Sequence, residues 1–319
     1  MIPDITKAVT LLQSGGLVAF PTETVYGLGA DASNASAVRK IFQAKERPYD
    51  HPLIVHLARL EQVHEWAQTI SPQALKLAER FWPGPLTLIL KKQPHVLDTV
   101  TGNQETIGLR IPRHPVAHAL LQAFGKGVAA PSANRFTHIS PTTAAAVYEE
   151  LGNKVDVILD GGACEVGLES TIVDMSREQP VILRPGMITA QAIADALHIP
   201  AILSEPGERT IRAPGMHHLH YAPTTKTVLM ATQAILPFLA ALTPDEFPIA
   251  LLTYSDLSVP RSAAIHQVKM PSKAAAYAHD LYHTLRLLDN QRVKRIIIEA
   301  VPLEMEWGAV RDRLGKASR

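Results

Sequence analysis

One cysteine, Cys164, stands in 319 residues. A single thiol builds neither an internal disulfide framework nor a multi-cysteine zinc site. Aromatic residues make up only 5% of the chain, which leaves few stacking surfaces for unpaired bases. Neither sign of charge dominates: 31 Lys+Arg face 30 Asp+Glu, a net charge of +1. Coating of nucleic acid or anionic membrane by bulk charge is thereby excluded, while a local basic pocket is not. The greasiest stretch, 234–242, is about half a membrane span and contains Pro237. Asp4 and Lys7 interrupt any signal-type apolar run at the start, so a cytoplasmic protein with no membrane association is expected. The G-x-x-x-x-G-K-[ST], G-x-G-x-x-G and G-x-S-x-G signatures are all missing, and with them the common nucleotide fingerprints and the nucleophile elbow.

What remains is 46% hydrophobic and 19% charged, the composition of a folded globular protein of a length that suggests about two domains. Apolar runs at 17–20, 53–57, 86–90, 106–111, 128–130, 155–159, 171–173 and 181–183 read as strands, with a helix over 37–44. Three polar–Pro pairs, Ser71-Pro72, His114-Pro115 and Ser140-Pro141, each precede helical apolar spacing and are expected to open helices. Asp4 and Thr189 stand as further helix starts. From 199 to 226 the pattern fails in a run of Pro, Gly and His, read as a linker or lid. A second alternating series follows over 227–319, with strands at 227–230, 249–252, 265–268 and 295–298 and helices at 272–288 and 305–314. Such alternation predicts a small three-layer α/β domain.

Polar groups collect where apolar runs end, the usual place for ligand groups in α/β folds. Pro21-Thr22-Glu23-Thr24-Val25-Tyr26-Gly27-Leu28-Gly29 follows the first run, with glycines that permit close ligand approach. Lys45-Glu46-Arg47-Pro48 ends a helical pattern; its cations either complement the helix C-terminus or clamp phosphate. Arg110 lies inside an apolar run and needs a partner there, either a ligand anion or a buried carboxylate. Ser132-Ala133-Asn134, Glu169-Ser170 and Arg184-Pro185-Gly186 repeat the theme, and together these loops point to one anionic ligand site. His217, His218 and His220 carry no accompanying carboxylate and lie in the linker, so no metal site is assigned to them.

Taken in order, Pro21 to Gly29, Lys45-x-Arg47-Pro48, Pro52-Leu53-Ile54-Val55-His56, Ala130-Pro131-Ser132-Ala133-Asn134 and Glu169-Ser170-Thr171-Ile172 resemble the YrdC-like domain of L-threonylcarbamoyladenylate synthases. The later Pro214-Gly215-Met216 and His220-Tyr221-Ala222-Pro223, with the α/β tail, resemble the long two-domain form of that family. The resemblance implies a YrdC-like twisted open α/β sheet over 1–198, a lid-forming linker over 199–226 and a smaller Rossmann-like domain over 227–319. It implies conversion of L-threonine, bicarbonate or CO2, and ATP with Mg²⁺ into threonylcarbamoyl-AMP, pyrophosphate and water. That is the first step towards N6-threonylcarbamoyladenosine at position 37 of ANN-decoding tRNAs. It further implies hand-over to threonylcarbamoyl-transfer machinery, with at most weak contact to tRNA.

By the same resemblance, Thr24, His56, Arg110, Ser132 and Ser170 hold threonine, Arg110 facing its carboxylate. Lys45, Arg47, His51, Thr106, Ala130, Asn134, Ser140, Arg184 and Tyr221 hold ATP; Ala130 acts through its backbone and Tyr221 closes over the nucleotide. Lys45, Arg47, Ser132 and Asn134 carry the catalytic burden. The family departs from this sequence at His51, where many relatives have Asn. The reaction needs two anions aligned and a triphosphate neutralised, which suits these cations and hydroxyls. Three other readings compete: an RNA-binding module, a carbamoyl-adenylate enzyme using another donor, and a silent paralogue. The last is disfavoured by the joint presence of Lys45-x-Arg47 and Ser132-x-Asn134.

Overall fold

Short apolar runs closed by turn residues become strands, and capped, amphipathic segments become the helices between them. The computed structural model describes residues 4–199, 202–203, 211–215, 220–259, 262 and 264–318. Two units separate: Met1–Phe136 with Ser140–Met216, and Thr137–Ile139 with His217–Arg319. The segment read as a linker is thus shared between them.

In the first unit the strands are β1 Val18–Phe20, β2 Gly27–Asp31, β3 Ile54–His56, β4 Leu86–Lys91, β5 Thr106–Arg110, β6 Val128–Ala129, β7 Val157–Ile158, β8 Thr171–Asp174, β9 Val181–Arg184 and β10 Ile202–Leu203. The helices are α1 Ile5–Gln13, α2 Ala35–Lys45, α3 Val63–Trp66, α4 Pro72–Phe81, α5 Asp98–Thr101, α6 Pro115–Phe124, α7 Ala144–Leu151 and α8 Ala190–Leu197. The strands form one mixed sheet in the order β10-β9-β8-β4-β5-β3-β6-β2-β1-β7. β3 runs parallel to β5, with His56 beside Arg110, and antiparallel to β6, with His56 beside Val128.

Ser71 and His114 cap α4 and α6, accepting from Ala74 N and Val116 N, with proline in each first turn. The third polar–Pro pair does not open a helix. Ser140 Oγ donates instead to Glu169 Oε1 at 2.6 Å, the Pro141 carbonyl accepts Tyr26 N, and Thr143 caps α7 two residues later. The sequence reading also took Gly27-Leu28-Gly29 for part of a ligand loop, whereas these residues begin β2. Their glycines serve packing. A Cβ on Gly29 would lie 2.8 Å from both Phe20 Cε1 and Val128 Cγ1, and one on Gly27 3.3 Å from Ala130 Cβ.

The second unit holds a parallel sheet of β11 Thr227–Met230, β12 Ile249–Thr253, β13 Ile265–Lys269 and β14 Arg295–Glu299, in the order β11-β14-β12-β13. α9 Thr232–Ala241, α10 Ala274–Asp289 and α11 Gly308–Ala317 accompany it. Glu299 closes β14 and ties three strand ends together, accepting from Thr232 Oγ1, Ser255 Oγ, Ser255 N and Tyr254 N. Burial works to raise its carboxyl; the bonds from Ser255, Thr232 and Tyr254 overcome that and hold it below the usual range. Among the described residues no helix is long and apolar enough to cross a membrane.

Gly29→Ala is expected to destabilise the first unit by about 1–3 kcal/mol, because Phe20 and Val128 must move to admit the methyl group. Denaturant unfolding measures it; an unchanged midpoint would contradict the packing role.

Candidate active site

The turn between β1 and β2 is built by its own hydroxyls. Thr22 Oγ1 donates to Val25 O at 2.7 Å and accepts Thr24 N and Val25 N, and the Thr22 and Thr24 hydroxyls lie 2.7 Å apart. Backbone bonds stitch the following residues to the 131–141 segment: Tyr26 N to Pro141 O, Leu28 N to Pro131 O and Ala133 N to Tyr26 O. The two sequence motifs are therefore one structural piece.

Arg110 ends β5 pointing at this piece. It is 4% exposed. Its Nε donates to Gly84 O at 3.2 Å and its Nη1 to Thr24 Oγ1 at 2.9 Å. Nη2 lies 2.9 Å from Glu23 Oε1, but its N–H groups are not aimed at that oxygen and make no hydrogen bond among the described residues. Of the two partners open at the sequence level, the protein itself supplies the carboxylate. Of a guanidinium's five N–H groups, three make no hydrogen bond among the described residues, and Nη2, which carries two of them, is buried against Glu23. His56 lies alongside. Burial, then the Arg110 charge, push its imidazole down to about 3, so the ring is neutral at ordinary pH.

Ser170 adjoins through a second polar chain. Its hydroxyl lies 2.8 Å from Thr87 Oγ1, and Arg184 grips it by Nε to Ser170 O at 3.0 Å and Nη2 to Ser170 Oγ at 3.1 Å. The third Arg184 nitrogen, Nη1, donates to Pro214 O at 3.1 Å, holding residues 211–215 to the unit. Arg212 fixes the same segment on the loop before β5: its backbone N–H donates to the Gln104 side-chain oxygen, its carbonyl accepts from the Gln104 amide nitrogen, and its guanidinium reaches Asp50 and Gly102 O.

Lys45 ends α2, Arg47 follows it, and the two behave differently. Lys45 is 1% exposed, and its Nζ donates to both Ser132 O and Asn134 O. Burial first, and Arg47 second, hold its ammonium well below the usual lysine range. Lys45 thus orders the Ser-x-Asn loop from beneath. Arg47 Nη2 donates to Pro52 O at 3.1 Å, with its guanidinium 5.7 Å from the Phe136 ring centroid. His51 meets the edge of the same ring at 5.2 Å, and Ala130 N is bonded to Ile54 O.

The sheet separates these groups into two ends. Thr106 opens β5 and Arg110 closes it, roughly 13 Å apart along the strand. Arg47 and His51 adjoin the start of β3, and His56 ends it. Tyr221 belongs to the second unit. There it is 1% exposed, has a φ of 61°, stacks on Tyr282 and lies beneath Arg313. His217 and His218 lie outside the described residues. Burial pushes the Cys164 thiol up to about 12, so it stays protonated at ordinary pH. Glu23, Thr22, Thr87 and Glu169 were not assigned from the sequence as site residues. For Thr87 the signal was a lone hydroxyl in the apolar run Leu86–Lys91.

Comparison with known proteins agrees over the whole chain. A family model described as telomere recombination, the Sua5/YciO/YrdC family, matches residues 10–186. Another, described as threonylcarbamoyl-AMP synthase, C-terminal domain, matches residues 188–319. The threonylcarbamoyl-AMP synthase of Bacillus subtilis (strain 168) is 39% identical, covering 99% of this chain and 93% of its own. That of Pyrococcus abyssi (strain GE5 / Orsay) is 37% identical, covering 98% and 94%. The crystal structure of P. abyssi Sua5 complexed with L-threonine superposes with a TM-score of 0.90 at 37% identity, over 98% of this chain and 94% of that one. With both units matched in one relative, the chain belongs to the two-domain, Sua5-type threonylcarbamoyl-AMP synthases, enzymes of the nucleotidyltransferase type.

Proposed function

We propose that the first unit joins L-threonine, bicarbonate or CO2, and ATP into threonylcarbamoyl-AMP, releasing pyrophosphate and, where bicarbonate is the carbon source, water. The observation that carries this reading is the buried Arg110 guanidinium with three N–H groups unclaimed, flanked by Thr24, neutral His56 and Ser170. A fork of this kind suits a single carboxylate. The P. abyssi Sua5 structure, solved with L-threonine, supports the same ligand class here.

In this reading Arg110 takes the threonine carboxylate, and Thr24, His56, Ser132 and Ser170 orient the rest of the amino acid. Bicarbonate takes up the proton of the threonine ammonium and breaks down to CO2 and water; the freed amine then adds to CO2 to give a carbamate and one proton. A carbamate oxygen then attacks the α-phosphorus of ATP, the bond to the β-phosphate oxygen breaks, and pyrophosphate leaves. The side chains act by alignment and charge, not by covalent participation. Arg47 carries the phosphate charge from the start of β3, beside His51 and Thr106. Lys45 keeps Ser132 and Asn134 in place beneath the phosphates, and Ala130 and Ser140 complete the nucleotide side. Arg184 holds Ser170 and Pro214 in place and, with its two further N–H groups, is assigned to the nucleotide as the resemblance implies. Tyr221 is kept as a nucleotide-closing residue on the strength of the resemblance.

Among the described residues no three His, Cys, Asp or Glu side chains are grouped as a metal site. Glu23 and Glu169 are engaged by Arg110 and Ser140. Mg²⁺ therefore belongs in this scheme to the Mg·ATP substrate. The product then passes to threonylcarbamoyl-transfer machinery acting on adenosine 37 of ANN-decoding tRNAs, in the cytoplasm, with at most weak tRNA contact by this protein.

Pyrophosphate release is expected only when ATP, Mg²⁺, L-threonine and bicarbonate are all present, with the mass of threonylcarbamoyl-AMP appearing. Release without threonine would overturn the reading. Arg47→Ala is expected to slow release about a hundredfold or more at saturating ATP with an unchanged circular dichroism spectrum; near-normal turnover would remove Arg47 from the phosphate site. The His56 ring titrates near 6.5 when unfolded and about 3 when folded, so below 6.5 the unfolded chain takes up a proton that the folded one refuses. Its contribution to stability is whole above that pH and is lost as pH falls towards 3. The melting temperature of His56→Gln is expected to fall less steeply than that of the wild type across this window; equal slopes would contradict a buried neutral ring.

A further inference from the structure

We propose that Glu23 sets the charge selectivity of the amino-acid pocket: paired with Arg110, it makes this end of the site favour a zwitterionic α-amino acid over a simple carboxylate anion of the same shape. The inference rests on the reading of Arg110 as the group that takes the substrate carboxylate.

Glu23 is 1% exposed and fixed at three points. Oε2 accepts Arg113 N at 3.1 Å, the main-chain carbonyl accepts Val166 N at 2.7 Å, and Oε1 faces Arg110 Nη2 at 2.9 Å. The Arg113 side chain turns away to the exposed Glu165, so it does not neutralise Glu23. An uncompensated guanidinium as deeply buried as Arg110 would be strongly destabilising. Glu23 supplies the compensation, and it does so through space, because neither Glu23 Oε1 nor Arg110 Nη2 makes a hydrogen bond among the described residues. The labour is thus divided. Gly84 O and Thr24 Oγ1 aim the fork, Glu23 offsets its charge, and the remaining N–H groups make no hydrogen bond among the described residues.

This arrangement has a consequence for selectivity. A ligand that brings only a carboxylate meets an attracting cation and a repelling anion side by side. A zwitterion brings its own ammonium within about two bonds of the carboxylate, and the Glu23 charge attracts it. At separations of a few ångströms in a partly buried site, one such interaction is worth tenfold or more in affinity. His56 adds no competing positive charge, being neutral. Arg184, held at Ser170, attracts the carboxylate of either ligand equally and cancels in the comparison.

The test is calorimetric titration with L-threonine and with 3-hydroxybutyrate of matching configuration, which is threonine without its ammonium. Wild-type protein is expected to prefer threonine. In Glu23→Gln, which keeps the amide oxygen for Arg113 N but removes the charge, that preference is expected to shrink about tenfold or more, with ATP affinity unchanged within about twofold. Glu23→Asp, which keeps the charge but withdraws it by one methylene, is expected to fall between them. An undiminished preference in Glu23→Gln would overturn the inference. So would equal affinity for the two ligands in the wild type, a measurement that needs no variant. If the wild type binds neither ligand, the assignment of Arg110 to threonine fails first and the inference with it. If it binds threonine normally and the preference ignores Glu23, only the inference fails.

Discussion

A guanidinium buried where a strand ends is the constraint around which the first unit is organised. Desolvating Arg110 without a partner would be strongly destabilising, and removing one member of such a buried pair typically costs about 3–5 kcal/mol. Its partners are a carbonyl at Gly84, a hydroxyl at Thr24 and a carboxylate at Glu23, drawn from two segments far apart in the chain. Those segments meet only if β1, β2, β5 and the turn before β4 are all in register. The order of the mixed sheet and the polarity of the site are thus two aspects of one arrangement. The hydrogen bonds around Arg110 leave three of its N–H groups without an acceptor among the described residues, which makes this buried charge the candidate anchor for a ligand carboxylate.

Lys45 shows the contrasting use of a buried cation. Its ammonium is directed at two backbone carbonyls of one loop; such bonds orient a loop but do not neutralise charge, consistent with a lysine held well below its usual range. A basic motif of two nearby cations therefore divides into a brace for one loop, Lys45, and a second buried cation, Arg47, seated against Pro52 and Phe136. Arg184 is a third case, with all three nitrogens donating to oxygens of Ser170 and Pro214. Cations in one pocket thus do three jobs, and sequence pattern alone treats them as equivalent.

Much of the fold was legible because its determinants are local. Apolar runs at 227–230 and 181–183 fall within the strands Thr227–Met230 and Val181–Arg184, and the Ser71 and His114 caps act where polar–Pro pairs announce them. The failures arise where the deciding partner lies elsewhere in the chain. Ser140-Pro141 looked like a helix start, yet the Ser140 hydroxyl is taken by Glu169, a partner distant in sequence. Gly27-Leu28-Gly29 looked like a ligand loop because glycine signals both close ligand approach and close packing, and here Phe20, Val128 and Ala130 fill the space. The candidate site was legible as a set of polar strand ends, and the resemblance to a family supplied its roles. The bonds that differentiate those roles, Glu23 with Arg110 and Arg184 with Pro214, join segments that no periodicity connects.

Where the amino acid sits decides the role of Arg110, and a crystal structure of this protein with L-threonine alone tests that most directly. The expected result is a threonine carboxylate within hydrogen-bonding distance of Arg110 Nη1 and Nη2, with Thr24, His56 and Ser170 around the rest of the molecule and Glu23 still facing the guanidinium. Threonine bound at the Arg47 end of β3, or an Arg110 whose outer N–H groups turn to protein atoms while threonine lies elsewhere, would contradict it.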